Sequence, residues 1–287
     1  MAEDSKDQAR HRTDAYVFLN LKHPLCAWAT YRCALVTPPS ERGFVSVWTA
    51  SVLENDTQQA LNRELSLEAV RQRNFPSRIS RLRGLFCFLD PQSAEKALSW
   101  GHHFQRSNLT DLSLAEAGAA CDRLDANWIS FGDRDQHGGI LERDCLRYWS
   151  GDPYPGEPPI WETLVEGRAY VLGTDIRKRA YSIIKSDFPD SLCFLEIGRL
   201  AAWVGSDLGN ISAFLREEGS DVELGYAMDM RDAENPVFLK RLEELMSSGH
   251  PVNRADIDPF ISRGTFGKTP DLRRFGFRIQ KASLTGR

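Results

Sequence analysis

No stretch of the 287-residue chain approaches the roughly 18 consecutive apolar residues that a membrane-spanning helix requires. Membrane partners are therefore not expected. The opening residues, MAEDSKDQARHRTD, lack the apolar centre of a secretory signal and read as a polar, disordered leader over 1–15. CxxC pairs are missing too. The six cysteines (Cys26, Cys33, Cys87, Cys121, Cys145, Cys193) are scattered, mostly inside apolar segments. That pattern reads as reduced, buried thiols in a cytoplasmic protein and argues against a zinc site. His102-His103 has no carboxylate or thiol at ligand spacing, so no metal is expected. The chain also lacks internal repeats and low-complexity segments, which excludes a repeat architecture.

What is present is an ordinary globular composition with an uneven charge. Residues 261–287 hold seven basic residues against Asp271 alone, a balance of +6; with a total of −4, residues 1–260 carry −10. Phe266, Phe275 and Phe277 interleave with those cations. Arg273, Arg274 and Phe275 are thus candidates to track a phosphate backbone and stack on bases. The alternative is an arm that is solvated or folds back on the acidic body.

The central stretch is Phe75–Trp100. An arginine-rich approach, with five arginines from Arg71 to Arg83, leads into Gly84-Leu85-Phe86-Cys87-Phe88-Leu89, an apolar run that reads as a buried strand. A helix follows, with Asp90 as N-cap, Pro91 at its first position and Gly101 as terminator. Arginine forks such as those of Arg78 and Arg81, delivered to the edge of a buried strand, suit pairing with phosphate oxygens.

Elsewhere the pattern predicts strands at Tyr16–Leu21, Ala29–Val36 and Phe44–Val52. A helix over Thr57–Arg73 places Leu61, Leu65, Ala69 and Val70 on one face. Ser113-Leu-Ala-Glu116 reads as a capping box opening a helix to about Asn127. Leu141, Cys145, Tyr148 and Trp149 stand at helical spacing. Ile160–Val165 reads as a strand, Glu166-Gly167 as a turn and Arg168–Leu172 as its partner. Helices are expected from Thr174, over Leu192–Val204 and from Asn235 to Gly249, with a late strand at Asp221–Met230. Strands and helices mixed without βαβ regularity predict an α+β fold.

Two segments together resemble the ADP-ribosyltransferase superfamily, particularly its toxin-like bacterial branches. Phe75-Pro76-Ser77-Arg78 running into Gly84–Phe88 and Ser93-Ala94-Glu95-Lys96-Ala97 looks like the family's central strand and the helix beneath its NAD pocket. Tyr148-Trp149-Ser150-Gly151 followed by Ile160-Trp161-Glu162-Thr163-Leu164-Val165-Glu166-Gly167 looks like the late strand bearing the catalytic glutamate. Tyr31-Arg32 matches the family's first position. Phe86 stands where many members have Tyr, and the Ser-Thr-Ser and Glu-x-Glu patterns of arginine-modifying members are missing.

The resemblance implies an ADP-ribosyltransferase-like split β-sheet core over 16–205, a helical extension over 206–260 and a basic aromatic tail over 261–287. It implies NAD+ as co-substrate, Glu162 as catalytic carboxylate, and Arg32, Ser77, Arg78, Arg81, Phe86 and Phe88 around the cofactor. Trp161 would flank the acceptor. The expected activity is mono-ADP-ribosylation of a macromolecule, in a toxin or defence effector with a possible antitoxin or immunity partner. The basic tail favours a nucleic-acid acceptor, with a protein acceptor or NAD glycohydrolysis as alternatives. A non-catalytic nucleotide- or nucleic-acid-binding module is the alternative of another class.

Overall fold

A computed structural model describes residues 14–53, 57–263 and 267–284. The expected leader falls, but for its last two residues, outside the described residues, as does Phe266 of the tail. In chain order the first half holds β1 (Asp14–Phe18), α1 (Pro24–Tyr31), β2 (Ala34–Val36), β3 (Phe44–Val45), α2 (Val47–Leu53), α3 (Thr57–Asn74), β4 (Leu85–Cys87), α4 (Pro91–Ala97), β5 (Leu109–Asp125) and α5 (Asn127–Phe131). The second half holds α6 (Glu142–Ser150), β6 (Trp161–Val171), α7 (Thr174–Asp187), α8 (Leu192–Trp203), β7 (Ile211–Glu218), β8 (Asp221–Met228), α9 (Pro236–Ser247), α10 (Arg254–Ile261) and β9 (Arg278–Gln280). All strand pairings are antiparallel, so the architecture is α+β.

β6 organises the first sheet. Its residues 162–165 are buried, as an apolar strand covered on both faces must be. β5 lies along one edge of it, while β4 and then β2 take the other. Gly167, at φ 108°, lies on β6 between the registers of β4 and β2, so the expected Glu166-Gly167 turn is a bend inside one long strand. β1 continues the sheet beyond β5, and reciprocal 2.8 Å hydrogen bonds between the backbones of Tyr16 and Phe88 join it back to the end of β4. The second sheet runs β3-β7-β8-β9.

Three expected elements change type, each for a physical reason. Ala29–Val36 is not one strand: Pro24 occupies the first turn of α1, whose residues from Pro24 to Thr30 are all buried. Phe44–Val52 yields only a two-residue strand, because Ser46 Oγ accepts from the Thr49 amide (3.2 Å) and starts α2. The capping box at Ser113 is overruled. That segment pairs with β1 and β6 simultaneously, and two ladders of backbone hydrogen bonds outweigh one local cap.

The supposed helical extension contains the β7–β8 hairpin, which pairs with β3 of the main body; Trp28 Nε1 also donates to Gly209 O at 2.8 Å. The proposed boundary at 205 is therefore crossed by core contacts. The tail is not a free arm. Leu272 is buried, Phe275 and Phe277 pack on the main core, and β9 pairs with β8. Lys268, Arg273, Arg274, Arg278 and Lys281 each lie beside an acidic residue.

Leu272→Ala should destabilise the whole protein by about 2–4 kcal/mol, as for other buried leucines. Arg273→Ala, whose side chain is 90% exposed, should change stability by less than about 0.5 kcal/mol. Urea unfolding of both variants checks the pair; equal effects would mean the tail is peripheral.

Candidate active site

The turn between α3 and β4 is fixed before any side chain reaches the site. Thr49 Oγ1 of α2 donates to the carbonyls of Arg81 and Leu82, each at 3.2 Å. Gly84 closes the turn where a Cβ would meet Ile79 at 2.9 Å and the Ser80 carbonyl at 3.1 Å. Arg81 is thereby aimed inward, with a side chain only 2% exposed.

Its guanidinium lies between two carboxylates. Nε and Nη2 donate to Glu64 Oε2 and Oε1 of α3 at 2.8 and 3.3 Å. Nη1 donates to Glu162 Oε1 of β6 and, at 2.7 Å, to the Tyr148 hydroxyl of α6. Tyr148 in turn donates to the same Glu162 oxygen at 2.7 Å. The guanidinium also stands 4.6 Å from the centre of the Phe86 ring, which stacks on Trp48 at 3.8 Å.

Glu162 is thus held through Oε1 alone; its Oε2 accepts no hydrogen bond among the described residues. Glu162 also borders a small cavity of about 20 Å³ walled by Phe18, Trp48, Phe86, Phe88, Trp100 and Phe104. Burial raises the proton affinity of its carboxyl, and Glu64 pushes it further up, while Arg81 and Tyr148 oppose the rise. Glu64 is driven the other way, below the usual carboxylate range, because the opposing pull of Arg81 and Arg63 exceeds the penalty of burial. The arrangement is a buried carboxylate fixed through one oxygen beside a small cavity with aromatic walls.

The other expected site residues are placed differently. Arg78 donates to Asp122 Oδ1 of β5 at 2.7 Å and is one-third exposed. Ser77 is exposed beside it. Phe86 and Phe88 share the cavity with Glu162. Trp161 does not: it lies on the opposite face of β6, under the Arg123 guanidinium at 4.5 Å. Arg32 is also removed from the site. It follows α1, not a strand, and donates to the carbonyls of Gly198 and Leu208 and to Asn210 Oδ1, at 3.3, 3.3 and 2.8 Å. Arg81 is not available to a phosphate, because all its nitrogens are taken by protein groups and the Phe86 ring lies 4.6 Å from its guanidinium. Arg273 is paired with Asp271, and Arg274 folds over Phe275 and Phe188.

Two members of the network escaped the sequence reading in their roles, Glu64 and Trp48. Glu64 carried a signal: it stands three residues after Leu61 and three before Leu67, on the buried stripe of α3, whereas Ala69, expected on that stripe, is exposed. A larger cleft of about 440 Å³ lies between β2 and the β7–β8 hairpin, and none of the expected site residues lines it. Among the described residues, no group of three or more His, Cys, Asp or Glu could hold a metal ion.

Residues 42–183 match a family described as a protein of unknown function (DUF2441). Glu64, Arg81, Tyr148 and Glu162 all fall inside the matched span, which covers about half of the chain. No curated protein matches the chain.

Two outcomes follow from the network. Arg81→Ala leaves two buried carboxylates without their cation and should cost about 3–5 kcal/mol in urea unfolding. Glu162→Gln keeps an oxygen for Arg81 and Tyr148 but removes the charge. Because the folded-state carboxyl is raised, wild type loses stability as pH climbs through that raised value. The melting temperature of Glu162→Gln relative to wild type should therefore increase from about pH 4, near the ordinary glutamate value, to about pH 8. A flat or falling difference contradicts the raised proton affinity.

Proposed function

We propose that the protein is a NAD+-dependent mono-ADP-ribosyltransferase acting on a macromolecular acceptor, with an ADP-ribosyltransferase-like sheet core. The observation that carries this reading is Glu162: a buried carboxylate anchored through Oε1 by Arg81 and Tyr148, with Oε2 unpartnered among the described residues, bordering a cavity walled by aromatic rings. Cleavage of the nicotinamide–ribose bond builds a sugar cation like that of glycoside hydrolysis. A preorganised carboxylate beside the ribose stabilises that cation and accepts the proton of the incoming nucleophile. Phe86 and Phe88 supply surfaces for the nicotinamide ring. Arg78, the arginine of the central stretch that pairs with a carboxylate while its side chain is one-third open to solvent, takes the pyrophosphate role.

One observation favours the non-catalytic reading, in which Glu162 is a structural partner of Arg81. The cavity has room for about one water. Entry of a nicotinamide ring requires Trp100 and Phe104, both half-buried, to move aside. The acceptor preference for nucleic acid loses support from the tail, where Lys268, Arg273, Arg274, Arg278 and Lys281 lie beside acids and the described aromatics are packed.

The deciding experiment incubates wild type and Glu162→Gln with labelled NAD+ and separate pools of RNA, DNA and cell protein. Wild type should transfer label to one pool, and the variant should lose at least about a hundredfold of that rate. No consumption of NAD+ by wild type rejects the transferase. Consumption without transfer identifies a glycohydrolase. Arg78→Ala should weaken NAD+ binding about tenfold or more, measured by calorimetry, with a smaller relative effect on folding. Unchanged affinity removes Arg78 from the site.

A further inference from the structure

Glu162 is held by Arg81, but Arg81 is held by Glu64. Two of the guanidinium's three nitrogens, Nε and Nη2, are fixed on Glu64, which leaves Nη1 alone to reach Glu162 and Tyr148. We infer that Glu64 is the positioning residue of the site: its two-point grip orients Arg81 so that the guanidinium clasps only Oε1 of Glu162 and leaves Oε2 to the substrate. Without that grip the planar fork is free to swing and engage both oxygens of Glu162, the geometry in which arginine binds a carboxylate most strongly. A carboxylate clasped at both oxygens is a poor base and a poor partner for a sugar cation. The inference rests on the reading of Glu162 as the reacting carboxylate.

Charge balance points the same way. At Arg81 two carboxylates meet one guanidinium, so the cluster binds an additional proton more readily than an isolated ion pair does. That proton goes to Glu162. Glu64 is kept ionised by its two hydrogen bonds from Arg81 and by Arg63, whose Nε lies 3.6 Å from Oε1. The charged and titratable groups facing the cluster are Arg63 on α3, Arg134 in the loop before α6, and Tyr148 on α6. Glu68, one turn along α3, is occupied by Arg71 and Ser80.

The test titrates the protein with 13C-labelled glutamate side chains by NMR, the Glu162 carboxyl signal being assigned by its loss in Glu162→Gln. Wild type should titrate above the ordinary glutamate value. Glu64→Gln should lower that midpoint by roughly one pH unit or more, and Glu64→Asp, which keeps the charge, should hold it near wild type. In NAD+ turnover, the acid limb of the kcat profile of Glu64→Gln should move down by the same amount with KM little changed. A folded Glu64→Gln whose Glu162 midpoint does not move overturns the inference, as does a wild-type midpoint at or below the ordinary value, which needs no variant. If the midpoint moves as expected but wild type consumes no NAD+, the arrangement stands and the transferase reading falls.

Discussion

The guanidinium of Arg81 is the interaction on which the rest of the molecule depends. It joins a helix (α3), a second helix (α6) and the central strand (β6) through side chains that are all buried. Its backbone is pinned by α2 through Thr49, so the fork arrives with little freedom left. Burying such a cluster carries a large desolvation cost, recovered only when every nitrogen is satisfied and the geometry is good. Both conditions hold here, and the Phe86–Trp48 stack seals one side of the fork.

Arg32 repeats the device on the other side of the molecule. Fully buried, it ties the end of α1 to α8 and to the loop before β7 without any carboxylate in hydrogen-bond contact. Gly198 and Gly209 make room for it: Gly198 Cα and N lie 3.0 and 3.6 Å from where a Cβ on Gly209 would stand, and a Cβ on Gly198 would crowd Arg32 itself at 3.2 Å. At these two buried positions arginine is an internal cross-tie and not a surface charge. Its preorganised fork loses less entropy per hydrogen bond than a lysine ammonium would, which suits it to such positions.

That usage explains what was and was not legible in the sequence. The strand at Leu85–Cys87, the Asp90 cap and the helices from Thr57, Thr174, Leu192 and Asn235 are local, and local signals revealed them. The nearness of Glu162 to Arg81 and Phe86, eighty-one and seventy-six residues apart along the chain, came from the resemblance and not from spacing. What the pattern could not reveal was which partner each arginine takes. Arg71, Arg78 and Arg81 read as a band open to phosphate, yet Glu68, Asp122 and Glu64 lie waiting for them. Two of those acids sit on the buried stripe of α3, where an amphipathic reading looks only for leucines. Asp122 lies on a segment that reads locally as a helix. Pairing across β5 is non-local, and no short window contains it.

Glu162 is a second carboxylate at a cation that already has one. A buried arginine is neutralised by one carboxylate, and Glu64 already provides it in two-point geometry. Glu162 is a second buried carboxylate in a cluster whose cations are Arg81 and, 3.6 Å from Glu64, Arg63, and its own burial carries a desolvation cost. A hydrophobic or amide side chain at 162 would pack against Phe86 and Leu124 without that penalty. Glu162 also borders the aromatic cavity, and its Oε2 has no partner among the described residues; on the proposed reading that oxygen would meet a positively charged transition state. On the proposed transferase reading, the buried carboxylate that borders the aromatic cavity is thus the one that sugar-cation formation requires.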